Sequence, residues 1–176
     1  MEYAYRKWLI IIYKGEIIMK TLVIFDSVFG NTEKIAQAIG SAVGAEKDVM
    51  VKRVTEASSE DLQGLDLLLV GSPTRGFRPT EAIAAFLKNI PANALNGVKA
   101  AAFDTRIPTD TIKSPVFRFI VKKGGYAAPV IAKGLEGKGA SLIVEPGGFF
   151  VKESEGPLVE GELERAAAWV KSLKKN

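Results

Sequence analysis

The chain has 176 residues, 47% of them hydrophobic and 25% charged, with a formal net charge of +4; this is the length and balance of one globular domain with a sizeable core, not of a disordered or fibrous chain. It contains no Cys and no His, which excludes disulfides, thiolate zinc and iron–sulfur sites, Cys nucleophiles and His-dependent triads or acid–base relays, so any redox chemistry requires a bound cofactor. The basic residues are scattered, with only short pairs such as Lys122-Lys123 and Lys174-Lys175; this reads as a mildly basic solvated surface rather than a nucleic-acid face, and the absence of Cys suits a reducing, cytoplasmic compartment.

Residues 1–18 precede the first regular pattern. Their apolar run Trp8–Tyr13 follows Arg6-Lys7. It is too short to span a membrane and lacks the long apolar stretch and small-residue cleavage site of a signal peptide, which leaves a peripheral anchor as one reading. A second reading comes from the genetic code: Lys14-Gly15-Glu16 can be written in codons that resemble a ribosome-binding site ahead of Met19. The expectation is that residues 1–18 are a translated leader and that residues 19–176 form the domain.

From Lys20 onward strands and helices alternate. Residues 21–26 (TLVIFD) form a continuous apolar run ending in a polar turn, the pattern of a strand buried on both faces. Ile35, Ala36, Ile39, Ala42 and Val43 recur at helical spacing between Asn31 and Val43. Residues 48–54 alternate like a strand nearer an edge, and 66–72 (DLLLVGS) form a second wholly apolar strand. Thr80 is placed to cap a helix that runs to Asn89 and stops before Pro91. Residues 98–104 (VKAAAFD) predict a third buried strand, and 107–126, with Pro108, Pro115 and Gly124-Gly125, the least regular stretch. A helix resumes from Ala127 to about Gly137. Residues 140–145 are the last buried strand, closed by Pro146-Gly147-Gly148, and Leu163, Ala166, Ala167, Val170 and Leu173 stripe a final helix. Five strands alternating with helices predict an α/β fold, a parallel sheet covered on both faces.

Ligands of such sheets bind outside the carboxyl ends of the strands, where strand order reverses. Three segments follow buried strands there. The first, Ser27-Val28-Phe29-Gly30-Asn31-Thr32, leads into a helix, whose unpaired N–H groups and positive dipole end hold a phosphate without a charged side chain. Ser27, Asn31 and Thr32 add neutral donors, and Gly30 permits a tight backbone. The alternative is an ordinary capped turn. Neither GxxxxGK[ST] nor GxGxxG occurs, and the third strand ends in Gly71-Ser72 rather than in the Asp of a response regulator. The second segment is Gly71-Ser72-Pro73-Thr74-Arg75-Gly76, with Phe77 beyond it; the third begins at Asp104-Thr105-Arg106.

These loops resemble those of the flavodoxin family. Ser27–Thr32 is similar to its [ST]xxGNT phosphate clasp and residues 71–76 to its GSPTxG loop beside the flavin ring, while Asp104–Arg106 match its other ring loop by position. The resemblance covers about residues 20–174. It implies a flavodoxin-like three-layer sandwich with a five-stranded parallel sheet in the order 2-1-3-4-5, and FMN as cofactor. By the same resemblance, Ser27, Val28, Phe29, Gly30, Asn31 and Thr32 take the phosphate, and Ser72, Pro73, Thr74, Arg75, Gly76 and Phe77 one side of the isoalloxazine. Asp104, Thr105 and Arg106 approach its pyrimidine edge or opposite face.

The chain departs from the family pattern in three ways. Arg75 stands where a Trp is often found, no Tyr follows Asp104, and the net charge is basic. A guanidinium near the ring favours the reduced, anionic flavin by Coulomb attraction, so Arg75 and Arg106 imply a less negative potential than is usual, unless both point to solvent or to surface carboxylates. The implied function is an FMN-binding electron carrier shuttling between redox partner proteins, with no catalytic residue of its own, no metal, no membrane span and no nucleic acid. The alternatives are an FMN-dependent oxidoreductase, of quinone-reductase or heme-pathway dehydrogenase type, with a substrate pocket built from 107–126, and a flavin-free regulatory domain. Phe117, Phe119 and Tyr126 are candidates to cover such a site or, equally, to pack in the core, as are Phe149 and Phe150.

Overall fold

Apolar runs that are hydrophobic at every position can be buried only in the middle of a sheet covered on both sides, and the sheet is built around them. The computed structural model describes residues 19–109 and 113–172; residues 1–18, with the leader expectation, and the side chain of Phe117 lie outside what is described. Strands β1 (Thr21–Phe25), β3 (Leu67–Pro73) and β4 (Lys99–Arg106) form the centre and β2 (Val49–Arg53) an edge, half-buried throughout. The order is β2-β1-β3-β4-β5, and every pairing is parallel. This is the flavodoxin-like sandwich and strand order expected from the sequence.

The fifth position is shared by two short segments, β5 (Ser141–Leu142) and β6 (Gly147–Phe150), both paired with β4. Pro146 cannot donate to the ladder and marks the break. Gly147 and Gly148 restart the strand rather than end it: a Cβ on Gly147 would lie 2.9 Å from Trp169, and one on Gly148 2.3 Å from the Arg106 guanidinium.

Parallel neighbours require crossovers, and the helices fall on alternate faces. Helices α1 (Asn31–Val43) and α5 (Glu162–Ser172) cover one face with Ile35, Ile39, Ala166 and Val170, against Val23, Phe25, Leu69, Phe103 and Phe149. Helices α2 (Glu81–Asn89) and α4 (Ala127–Glu136) cover the other with Ile83, Leu87, Ile131 and Leu135, against Leu22, Ile24, Leu68, Val70 and Ala102. The two-residue alternation along each strand thus divides one apolar run between two cores. Phe103, Phe149 and Trp169 meet edge-on with centroids 5.9–6.4 Å apart, and Gly71 leaves room for the Phe103 ring, which a Cβ would meet at 2.1 Å. Phe149 therefore belongs to the core.

The stretch read as irregular contains a helix, α3 (Pro115–Gly124). Proline at the first position and glycine at the end are its boundaries. Among the described residues no helix is long and apolar enough to cross a membrane.

Candidate functional site

Strand order reverses between β1 and β3, because α1 leaves to one face and α2 to the other. The carboxyl ends of the strands therefore open into a crevice. It is a cleft of about 410 Å³, within the range of small-molecule sites. It brings together Ser27, Val28, Phe29, Asn31 and Thr32 from the first loop, Pro73, Thr74, Arg75 and Gly76 from the second, and Thr105 and Arg106 from β4. Gly30, Ser72, Phe77 and Asp104 are not part of its lining.

The first loop turns at Gly30, whose φ of 81° is left-handed and costs glycine nothing. No side chain caps α1, and its first backbone bond runs from Lys34 N–H to the Gly30 carbonyl. The amides of residues 31–33 consequently have no acceptor within the helix and stand at its positive end. Ser27 is 8% exposed, and its Oγ is buried without a hydrogen-bond partner among the described residues. Asn31 Nδ2 donates to the Glu155 carbonyl at 2.9 Å, and the Thr32 hydroxyl shares a 2.8 Å hydrogen bond with that of Thr105.

Arg53, at the end of β2, braces this loop from behind. It donates to the Ser27 carbonyl at 2.9 Å, pairs with Glu33 at 2.9 Å and Asp26 at 3.4 Å, and lies over the Phe25 ring. Its charge is spent on the scaffold and it does not line the cleft.

The second loop is a two-residue hairpin turn. Arg75 and Arg78 exchange backbone hydrogen bonds of 3.0 and 3.2 Å around Gly76 and Phe77, both left-handed at φ 54° and 68°. That conformation is ordinary for Gly76 and strained for an aromatic residue. The Phe77 ring is seated against Gly124 at the end of α3, where a Cβ would come within 2.5 Å of it. Arg75 is exposed and lies 5.8 Å over the Phe29 ring at the mouth of the cleft.

The third segment is an internal ion pair. Asp104 is fully buried, and both its oxygens accept from Arg106, Oδ1 from Nε at 2.5 Å and Oδ2 from Nη2 at 2.8 Å. Burial raises the Asp104 carboxyl above its ordinary pKa, against the opposing pull of Arg106 and of hydrogen bonds from Ala128 N–H and Thr74. The Arg106 guanidinium is stacked 3.8 Å from the Tyr126 ring centroid and needs the space left by Gly148. Its charge is therefore offset by a buried carboxylate, an arrangement not among those expected for it, whereas Arg75 has no described carboxylate partner. Asp104 Oδ2 also accepts from Ala128 N–H at 2.7 Å, and Thr74 Oγ1 accepts from Ala127 N–H at 2.9 Å. Two side chains from the strand ends thus cap α4 across the fold.

Sequence reasoning missed Ile107, Val151, Ser154 and Glu155, which complete the lining. The last three lie in a hairpin after β6, closed by Lys152 N–H to Pro157 O and Val159 N–H to Phe150 O, each 2.9 Å. Gly156, at φ 106°, leaves room for the Asn31 amide, which a Cβ would meet at 2.5 Å. The available signal was position: the last strand ends at the same edge of the sheet as the other three. A second groove of about 340 Å³, between Val54, Leu62, Phe86 and Ile90, has no charged residue in its lining. Among the described residues no cluster of three or more Asp or Glu could hold a metal ion.

Comparison with known proteins bears on this cleft. A family model described as a flavodoxin domain matches residues 22–123. Flavodoxin 1 of Salmonella typhimurium is 47% identical over 55 residues, 31% of this chain and 30% of that protein. An NAD(P)H dehydrogenase (quinone) of Paraburkholderia phymatum is 34% identical over 109 residues, 48% of this chain and 55% of that one. The matches thus span between about a third and about half of these curated relatives. Among solved structures, a flavodoxin from the domain Archaea superposes with a TM-score of 0.69 at 21% identity, over 89% of this chain and 97% of its own. Oxidised Flavodoxin 1 from Bacillus cereus gives the same TM-score at 19% identity, over 89% and 97%. The solved structures establish the fold; with the family match over more than half of its length, the chain belongs to the flavodoxin domain family.

Proposed function

We propose that the cleft holds FMN and that the protein carries electrons between redox partner proteins. The observation that carries this reading is the donor set of the first loop: a buried, unpartnered Ser27 hydroxyl beside helix amides that lack acceptors. Buried donors of this kind are costly unless an acceptor is supplied, and a phosphate at a helix N-terminus supplies one.

The residues fit the group. Ser27, Thr32 and the first-turn amides would hold the phosphate, Pro73–Gly76 would border one side of the ring, and Arg106 and Ile107 would border another. When bound, FMN supplies the one- and two-electron chemistry that no side chain here can provide. Val28 and Phe29, 50% and 46% exposed, form an apolar rim that sheds water on ligand binding. Arg75 is the cation available to favour negative charge on the reduced ring; Arg106 is neutralised by Asp104. The reading therefore assigns the less negative potential to Arg75, and Arg75→Trp lowers the potential on redox titration.

The purified protein titrated with FMN tests the proposal: saturable uptake with a perturbed visible spectrum supports it, and a protein indifferent to FMN overturns it. The match to NAD(P)H dehydrogenase (quinone) over 109 residues favours a second reading, FMN-dependent quinone reduction, which steady-state turnover of quinone with a nicotinamide donor separates from carrier function.

A further inference from the structure

Two hydroxyls bonded to each other carry two hydrogens and use only one between them. Thr32 Oγ1 and Thr105 Oγ1 are 2.8 Å apart, their residues are 1% and 4% exposed, and both line the cleft. Neither hydroxyl has another side-chain acceptor among the described residues. Whichever of the two donates, one O–H remains to be satisfied, and both residues line the cleft. Thr32 stands in the first turn of α1, among the unpaired amides, and Thr105 stands in β4, on the far side of β3 from β1. An anion at the helix end therefore draws the Thr32 hydrogen, which leaves the Thr32 oxygen to accept from Thr105. Each bond of such a chain strengthens the next.

We infer that Thr105 is a positioning residue of the phosphate site, fixing the Thr32 hydroxyl as a donor through a Thr105–Thr32–phosphate chain, so that the site discriminates phosphorylated from unphosphorylated flavin. The inference rests on the FMN reading. It assigns to β4 a role at the opposite end of the ligand from the ring edge that the same strand was expected to serve.

The test compares wild type, Thr105→Val and Thr105→Ser for FMN and riboflavin affinity, with thermal stabilisation of the flavin-free protein by inorganic phosphate as a second readout. Valine keeps the volume and removes the donor; serine keeps the donor. Thr105→Val should weaken FMN about tenfold, the upper end of the scale for a hydrogen bond between neutral groups, leave riboflavin unchanged and reduce the phosphate stabilisation. Thr105→Ser should restore all three. An unchanged ratio of FMN to riboflavin affinity, or equal weakening of both, overturns the inference. A wild type that takes up neither flavin overturns the FMN reading instead; phosphate stabilisation lost in Thr105→Val and regained in Thr105→Ser then still supports the hydroxyl chain, and stabilisation indifferent to Thr105 overturns it.

Discussion

The loop after β1 and the wall formed by the ends of β3 and β4 border the same cleft, yet they use their polar groups in opposite ways. The first leaves a hydroxyl buried without a partner and the opening amides of a helix without acceptors. In the wall, Asp104, Arg106 and Thr74 are fully engaged with one another and with α4. Polar residues at strand ends look alike in a sequence, but in the structure one set keeps polar groups unpaired among the described residues while the other holds the fold together.

Substitution should separate the two. The largest effect is expected from Asp104→Ala, which strands the mostly buried Arg106 guanidinium and the Ala128 amide; a loss of about 3–5 kcal/mol is the scale for breaking a buried pair, read from urea unfolding. The same carboxyl gives a pH signature. Its folded pKa is raised above the unfolded value near 3.9, so between the two values the folded state binds more protons than the unfolded one. Its contribution to stability therefore falls as pH rises through that window and is flat above it. Urea midpoints of wild type and Asp104→Asn, measured from about pH 4 upward, should show their difference shifting in that sense; a difference independent of pH would remove the assignment.

A smaller loss, about 1–3 kcal/mol by overpacking, is expected for Gly148→Ala, which pushes Arg106 off Asp104 and the Tyr126 ring. Ser27→Ala should be the mildest, within about 0.5 kcal/mol, because the lost hydroxyl has no partner. Its effect should appear instead as weakened FMN uptake. If Ser27→Ala destabilises as much as Gly148→Ala, the contrast between the two regions fails.

Much of this arrangement could be read from the sequence because it is local. Leu22–Phe25 and Leu67–Val70 are apolar at every position, which a central parallel strand accommodates, and Gly30-Asn31-Thr32 sits where such a strand must turn into a helix. What escaped reading was non-local. Gly124, Gly125 and Tyr126 offer no capping side chain, so the start of α4 was placed without a visible cause; its caps come from Thr74 and Asp104, distant in sequence. Pro146-Gly147-Gly148 resembles a terminator, but its glycines are small because Trp169 and Arg106 press against them. Pro115 and Gly124 make 107–126 look irregular, yet each marks one end of a helix. The hairpin that closes the cleft depends on Asn31 reaching Glu155, which no pattern within either segment announces.

The capping of α4 by Thr74 and Asp104 constrains how this protein can change. A loop that only lines a cleft can be retuned residue by residue, but here Thr74 in the lining and Asp104 behind it also start a helix, so most replacements there are eliminated for instability whatever they do to the cleft. Freedom to drift is left to Arg75, exposed at the mouth and outside that scaffold. In a library randomised across residues 73–77 and 104–106 and screened for folded protein, diversity should survive at Arg75 and collapse at Thr74 and Asp104.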